Sequence, residues 1–200
     1  PIVFPPDGSP SDATEMEKAE YAAGLIKLGA VQEGITLLET LDPRHPQFLF
    51  FRAIGLVAEW NYAAAIPLFE QALRYARESR SPGLEMTIHG AFAHAYRRIG
   101  KLDLALESAK KAVESSTAAI QIGTIARHRS EPERRSVLAR LERTHALALV
   151  SLAGTYLTLR QWENARSPFM EALDAARRIQ STQVIAGAHY GLGVVAANLD

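Results

Sequence analysis

The chain has 200 residues, 48% of them hydrophobic, with 22 Lys plus Arg set against 22 Asp plus Glu. That balance gives no global attraction to nucleic acid or an anionic membrane, and no uninterrupted apolar run reaches the length of a membrane span. There is no cysteine, which removes disulfides, thiolate nucleophiles and Cys-type zinc sites together and makes a cytoplasmic location the expectation.

Residues 1–11 hold Pro1, Pro5, Pro6, Gly8 and Pro10, an extended entry segment or a linker. They lack the basic start and apolar run of a secretory signal. The chain begins with Pro1 instead of Met, and Tyr190 to Asp200 reads as half of a helical hairpin. Both features suggest a piece of a longer or processed protein. Asp12 followed by Glu15 predicts a helix start, an N-cap with a reciprocal partner three residues on. From residue 12 to residue 200 the periodicity is helical and no alternating strand pattern persists, so the expected fold class is all-α.

Four segments share one spacing of small and large residues. The first has Ala22, Leu25, Gly29, Gly34, Leu38 and Leu41; the second has Ala53, Leu56, Trp60, Ala65, Phe69 and Ala72. The third has Ala93, Tyr96, Gly100, Ala105, Ala109 and Ala112; the fourth has Ala153, Tyr156, Gln161, Ala165, Phe169 and Ala172. A fifth begins with Leu192, Gly193 and Ala196. Two antiparallel helices approach closely only where side chains are small. Ala22, Ala53, Ala93, Ala153 and Gly193 are therefore placed at the crossing on the first helix of each pair, and Gly34, Ala65, Ala105 and Ala165 opposite them. Leu25, Leu56, Tyr96 and Tyr156 fill the space beside the crossing. Gly29 and Gly100 supply a left-handed turn residue. Each hairpin leaves an apolar face that must stack on its neighbour.

This pattern resembles the tetratricopeptide (TPR) repeat, from about Glu15 to the end of the chain. The resemblance implies a right-handed solenoid, an α-α superhelix of antiparallel helix pairs, over residues 12–200, with four repeats and half of a fifth. The family's frequent Trp near the repeat start is replaced by Lys18, Leu49, His89 and Leu149, and its inter-repeat Pro survives only as Pro46. Pro67 and Pro168 fall in the first two turns of second helices, where a missing N–H bends the element without abolishing it. The spacing from Leu25 to Leu56 is 31 residues, to Tyr96 another 40, to Tyr156 another 60, and to Ala196 another 40. Against a norm of about 34, repeats near 40 resemble those of bacterial transcription activators and peptide-sensing regulators.

The longest interval contains an extra segment at about 115–140. Within it Thr124 to Ser130 is expected to be a loop. Ser130, Pro132 and Glu133 then form a helix start, and the helix is expected to run to about Arg160.

No constellation suggests catalysis. His45, His89, His94, His128, His145 and His189 form no metalloprotease pair and no metal-ligand cluster, and are read as surface or groove histidines. Gly191-Leu192-Gly193 lacks the preceding strand of a dinucleotide loop. No serine sits in a nucleophile elbow, and the carboxylates are scattered on polar helix faces. The chain is read as a non-enzyme with no metal and no cofactor.

The resemblance implies a ligand lying along the concave face, lined by the first helices. Mapping the family's positions gives Ala19, Ala23, Ile26 and Lys27 in the first repeat, Phe50, Ile54, Val57 and Ala58 in the second, and Gly90, His94, Arg97 and Arg98 in the third. It gives Val150, Gly154, Leu157 and Thr158 in the fourth and Tyr190, Val194 and Asn198 in the fifth. Much of that surface is apolar, and His94, Arg97 and Arg98 make a basic spot suited to a carboxylate or phosphate. One reading is an extended or helical peptide with apolar anchors and one acidic group. The competing reading buries the apolar positions against the extra segment or a second copy, and leaves Arg97 and Arg98 as an exposed helix end favourable to its dipole. Arg127, Arg129, Arg134, Arg135, Arg140 and Arg143 are interleaved with Glu131, Glu133 and Glu142 as on a solvated face, and no aromatic residues alternate with them. That arrangement argues against direct nucleic-acid contact.

The leading expectation is a protein- or peptide-binding scaffold, the interaction or sensory part of a larger bacterial protein. One alternative is the effector-binding domain of a transcription regulator whose DNA-binding part lies elsewhere. The other is a self-association scaffold, a homo-oligomer whose groove is filled by another copy.

Overall fold

The computed structural model describes residues 13–125 and 130–199. Its helices are α1 (Glu15–Leu28), α2 (Val31–Glu39), α3 (Pro46–Ala58), α4 (Tyr62–Glu78), α5 (Pro82–Arg98), α6 (Leu102–Ile125), α7 (Glu131–Thr158), α8 (Trp162–Arg178) and α9 (Thr182–Leu199). No strand occurs among the described residues. The chain divides into two compact units, one through Ser79 and one from Arg80 onward. The all-α expectation holds, and the helices pack in sequence, α1 on α2, α3 on α4, α5 on α6, α7 on α8 and α8 on α9.

In the first unit α1 starts two residues later than the Asp12–Glu15 spacing suggests. Thr14 is the cap: its Oγ1 accepts from the Glu17 N–H at 3.3 Å, and the Glu17 carboxylate accepts from the Thr14 N–H at 2.8 Å. Thr14 and Glu17 have the same three-residue offset, and here both orphan donors are satisfied reciprocally. Asp12 lies outside the described residues. Gly29 ends the helix at φ 96°, the left-handed conformation expected of it.

Across the first turn, α2 packs on α1 through Gly34. A Cβ placed there would lie 2.7 Å from the Ala22 carbonyl oxygen, which is backbone and cannot swing away. Gly34→Ala should therefore destabilise the protein by about 2 kcal/mol, within the range for overpacked contacts, as read by urea unfolding. Ala22, Leu38 and Leu41 join Phe48 of α3 in one core cluster. Pro46 occupies the first turn of α3, where its missing N–H costs nothing. Ala53 and Ala65, both fully buried, mark the α3–α4 crossing, and the Phe50 and Phe69 rings meet beside it at 5.8 Å. Helix α4 runs unbroken through Pro67, as expected of a proline in the second turn.

The second unit repeats this logic. Ala93, Ala105 and Ala109 are fully buried between α5 and α6, and Ala153, Ala165 and Ala172 between α7 and α8. Phe169 fills the space beside the latter crossing. Gly193, the fifth small residue of the pattern, is instead exposed, with nothing within 4 Å of a Cβ built on it. The glycine of α9 that packs closely is Gly191, against the Phe169 ring.

The 60-residue interval is taken up by helix length. Residues 115–140 include the last turns of α6 and the first turns of α7, helices of 24 and 28 residues. Met86, Ala119 and Leu141, flanked by Ile120 and Val137, hold these extensions together. The expected loop at Thr124 is helical through Ile125. Thr124 Oγ1 bonds back to the Ile120 and Gln121 carbonyls at 2.8 and 2.7 Å, satisfying its hydroxyl within the helix. Residues 126–129 lie outside the described residues. The Ser130–Glu133 capping box with Pro132 in the first turn forms as expected.

Helix α7 ends at Thr158, because Arg160 turns to φ 56°. Trp60 occupies the same kind of turn after α3 at φ 61°, where the first and third hairpins have Gly29 and Gly100. The left-handed conformation costs an L-residue about 1 kcal/mol that glycine avoids. Arg160→Gly is thus expected to raise stability by about 0.5 kcal/mol after glycine's greater chain entropy is subtracted. A small rise in the denaturant midpoint would report it.

Candidate functional site

The first helices of the second unit touch in succession, α5 against α7 and α7 against α9. Along α5, His94 and Arg97 are three residues apart and so project from one face. Along α7, Leu147, Val150, Ser151, Gly154, Leu157 and Thr158 recur at spacings of three and four and make one stripe. Tyr190 and Gly191 of α9 and the Phe169 ring of α8 complete an open cavity of about 450 Å³. Gly191 makes room for that ring: a Cβ there would lie 2.1 Å from it.

Arg97 is the distinctive group in this cavity. Its side chain lies half-buried across α7, and Nη1 donates to the Ser151 carbonyl at a long 3.4 Å. That carbonyl already accepts from Thr155 Oγ1 at 2.8 Å. A Cβ on Gly154 would sit 3.2 Å from Nη1, so the absent side chain lets the guanidinium lie against the helix. Among the described residues no carboxylate pairs with Arg97, and none lines the cavity. A guanidinium has five N–H donors, and most of these are left for something else. Burial, followed by the charge of Arg98, lowers the Arg97 pKa.

His94 sits at the rim one turn away. Partial burial, then the neighbouring guanidinium groups of Arg97 and Arg98, hold its imidazole below the usual histidine range. The cavity therefore presents one fixed positive charge and a second group that becomes positive on protonation, between apolar walls.

The structure brings together His94, Arg97, Val150, Leu157 and Tyr190 of the residues mapped from sequence. Gly154 and Thr158 line the same cavity. Arg98 is exposed and does not line it, because one residue along a helix turns the side chain by about 100°. In the first unit Phe50 is 8% exposed and its ring packs on Phe51 and Phe69, so it serves the core of its own hairpin and offers no open surface. Ile54 is partly buried against the α1–α2–α3 cluster, and Val57 is half-buried on the same helix. Leu147, Ser151, Phe169 and Gly191 escaped the sequence mapping. The first two lie on the α7 stripe and are found by extending its periodicity, whereas Phe169 comes from a second helix.

Two histidines depart from the surface-or-groove expectation. His89 is 5% exposed and packs beside the Phe92 ring, taking the large buried place that a Trp holds in the repeat pattern. His145 Nδ1 lies 2.7 Å from Ser116 Oγ, which itself donates to the Val113 carbonyl at 2.7 Å. That hydroxyl proton is thereby committed to Val113, so His145 is the donor of the pair. Ser116 is fully buried, which leaves the dyad a strut between α6 and α7.

A larger concavity of about 610 Å³ lies between Arg140 and Arg143 of α7 and the start of α9. Both arginines are exposed, and the site lacks the apolar walls that surround Arg97. Among the described residues no group of three His, Asp or Glu is placed to hold a metal ion, and no helix is long and apolar enough to cross a membrane.

No protein-family model matches the sequence, and no curated protein does. Among solved structures, the chain is similar to BtubC (BKLC) from P. vanneervenii, with 22% identity and a TM-score of 0.57 over 92% of this chain and 66% of that one. Weaker superpositions involve a Podosopora anserina protein with nearly identical TPR-like repeats and the C-terminal part of a TPR repeat-containing protein from Cytophaga hutchinsonii. The first has 21% identity and a TM-score of 0.45, covering 92% of this chain and 94% of that one. The second has 15% identity and a TM-score of 0.43, covering 90% and 79%. At these identities the likeness is one of fold, and the fold is all-α, built of TPR-like helical hairpins.

Proposed function

We propose that this chain is a protein- or peptide-binding scaffold whose ligand seats an acidic group on Arg97, with apolar anchors against Val150 and Leu157. The observation that carries this reading is the half-buried Arg97 guanidinium, which has no carboxylate partner among the described residues and lies between apolar walls. A charge so placed is costly to leave uncompensated, and a carboxylate arriving from outside compensates it with short, charge-assisted hydrogen bonds. The apolar walls supply area-dependent affinity around that fixed polar point, the usual division of labour in a recognition cleft. TPR-like folds are general hosts for protein partners, which supports the class of ligand but not its identity.

The scaffold reading extends to an interaction or sensory module of a larger bacterial protein. The test is a random-peptide display selection on the wild type, repeated on Arg97→Gln. Enrichment of peptides pairing one Asp or Glu with neighbouring apolar residues, lost on Arg97→Gln, is the expected result. Enrichment of basic peptides, or the same acidic peptides on both proteins, would remove Arg97 from the site.

A further inference from the structure

The Arg97 cavity contains a second ionisable group whose charge is not fixed. His94 lines it one helical turn from Arg97, and the apolar stripe of α7 faces both. Resting on the binding function proposed above, we propose that anion binding in this cavity is proton-linked, with His94 taking up a proton as the carboxylate seats.

The groups around His94 determine the direction of the linkage. On its own helix it faces Arg97 and Arg98, both positive. From α7 the cavity receives Leu147, Val150, Ser151, Gly154, Leu157 and Thr158, none of which titrates. From α8 it receives Phe169, and from α9 Tyr190, whose phenol ionises near 10 and stays neutral in the range considered. Helix α6, packed on α5, carries Asp103, Glu107, Lys110, Lys111 and Glu114, with Lys101 just before it, and the Glu107 carboxylate interacts with Lys111 and His89.

In the unliganded cavity the imidazole is therefore held below its ordinary range by burial and by two guanidinium groups. A carboxylate on Arg97 adds a negative charge within the same cavity, offsets that repulsion and raises the His94 pKa. A group bound more tightly by its protonated partner is bound more tightly at lower pH. Affinity should be greatest below the free-state pKa of His94 and fall as pH rises through the bound-state pKa, by up to about tenfold for each unit separating the two. A ligand with a neutral amide in place of the carboxylate has no such dependence.

The probe is benzoate, a carboxylate on an apolar ring, with benzamide as the neutral control. Chemical-shift titrations on the whole chain from about pH 5.5 to pH 8, a range in which a carboxylate stays ionised, give both the dissociation constant and the site. The expected result is perturbation centred on Arg97, Val150 and Leu157. The benzoate constant should rise about threefold or more across the range in the wild type. In His94→Gln it should stay flat, and benzamide should show no slope with either protein. Benzoate binding at these residues with the same slope in His94→Gln would overturn the proton linkage and leave the Arg97 site standing. Absence of any perturbation at Arg97 would overturn both. A folded His94→Gln spectrum, unchanged away from α5 and α7, separates loss of linkage from loss of structure.

Discussion

Phe69→Ala is expected to destabilise the protein by about 3–5 kcal/mol, the range for removing a buried aromatic ring from a packed core. Phe69 is fully buried in α4, four residues after the small Ala65 that lets α3 and α4 cross. Its ring meets that of Phe50 at 5.8 Å. Removing it deletes transfer free energy and leaves a void beside Phe50 that the close-packed hairpin closes only in part. Stability of this size is a large share of what a domain has to spare. Denaturant unfolding measures the effect; a loss below about 1 kcal/mol would mean that the hairpin repacks freely and is not held by its small-residue crossing.

Arg97→Gln is expected to weaken the binding of a selected acidic peptide about a hundredfold, whereas Arg98→Gln weakens it about threefold or less. The first figure corresponds to roughly 2–3 kcal/mol for a charge-assisted hydrogen bond in partly desolvated surroundings. The second reflects an exposed charge acting through water and salt. The contrast follows from position: Arg97 lies across Gly154 with its guanidinium in the cavity, and Arg98 is exposed beyond it. Isothermal titration of one peptide against the three proteins checks it, and equal losses from both variants would mean that long-range charge, not the cavity, holds the anion.

The crossings are legible in the sequence because they are set by a local requirement. Ala22, Ala53, Ala93 and Ala153, with Gly34, Ala65, Ala105 and Ala165 opposite, are small because a larger side chain would push the paired backbones apart, and spacing alone reveals them. The seven cavity residues mapped from sequence follow from the same register, since the face beside a crossing is fixed once the crossing is known. Phe50 is misplaced by that mapping for the complementary reason. An apolar residue on a first helix reads the same whether it faces a ligand or the aromatic ring of its own second helix. Arg97 and Arg98 differ by one residue, and a positional mapping good to a residue or two cannot choose between side chains pointing about 100° apart. The extensions of α6 and α7 are hidden because Thr124 reads as a loop residue until its hydroxyl is seen bonding back into its own helix. Phe169 escapes the mapping because it reaches the cavity from α8, past a glycine on α9 whose purpose emerges only when the two helices are seen together.

Photo-crosslinking locates the bound ligand, which is expected in the α5–α7–α9 cavity. A photoreactive phenylalanine analogue at Thr158, at the cavity's edge, is compared with one at Glu114, exposed on α6. Each is irradiated with the selected acidic peptide. The expected result is a crosslinked adduct from position 158 that excess unlabelled peptide removes, and none from position 114. An adduct from 114 alone would contradict it and put the binding surface on another face of the repeat.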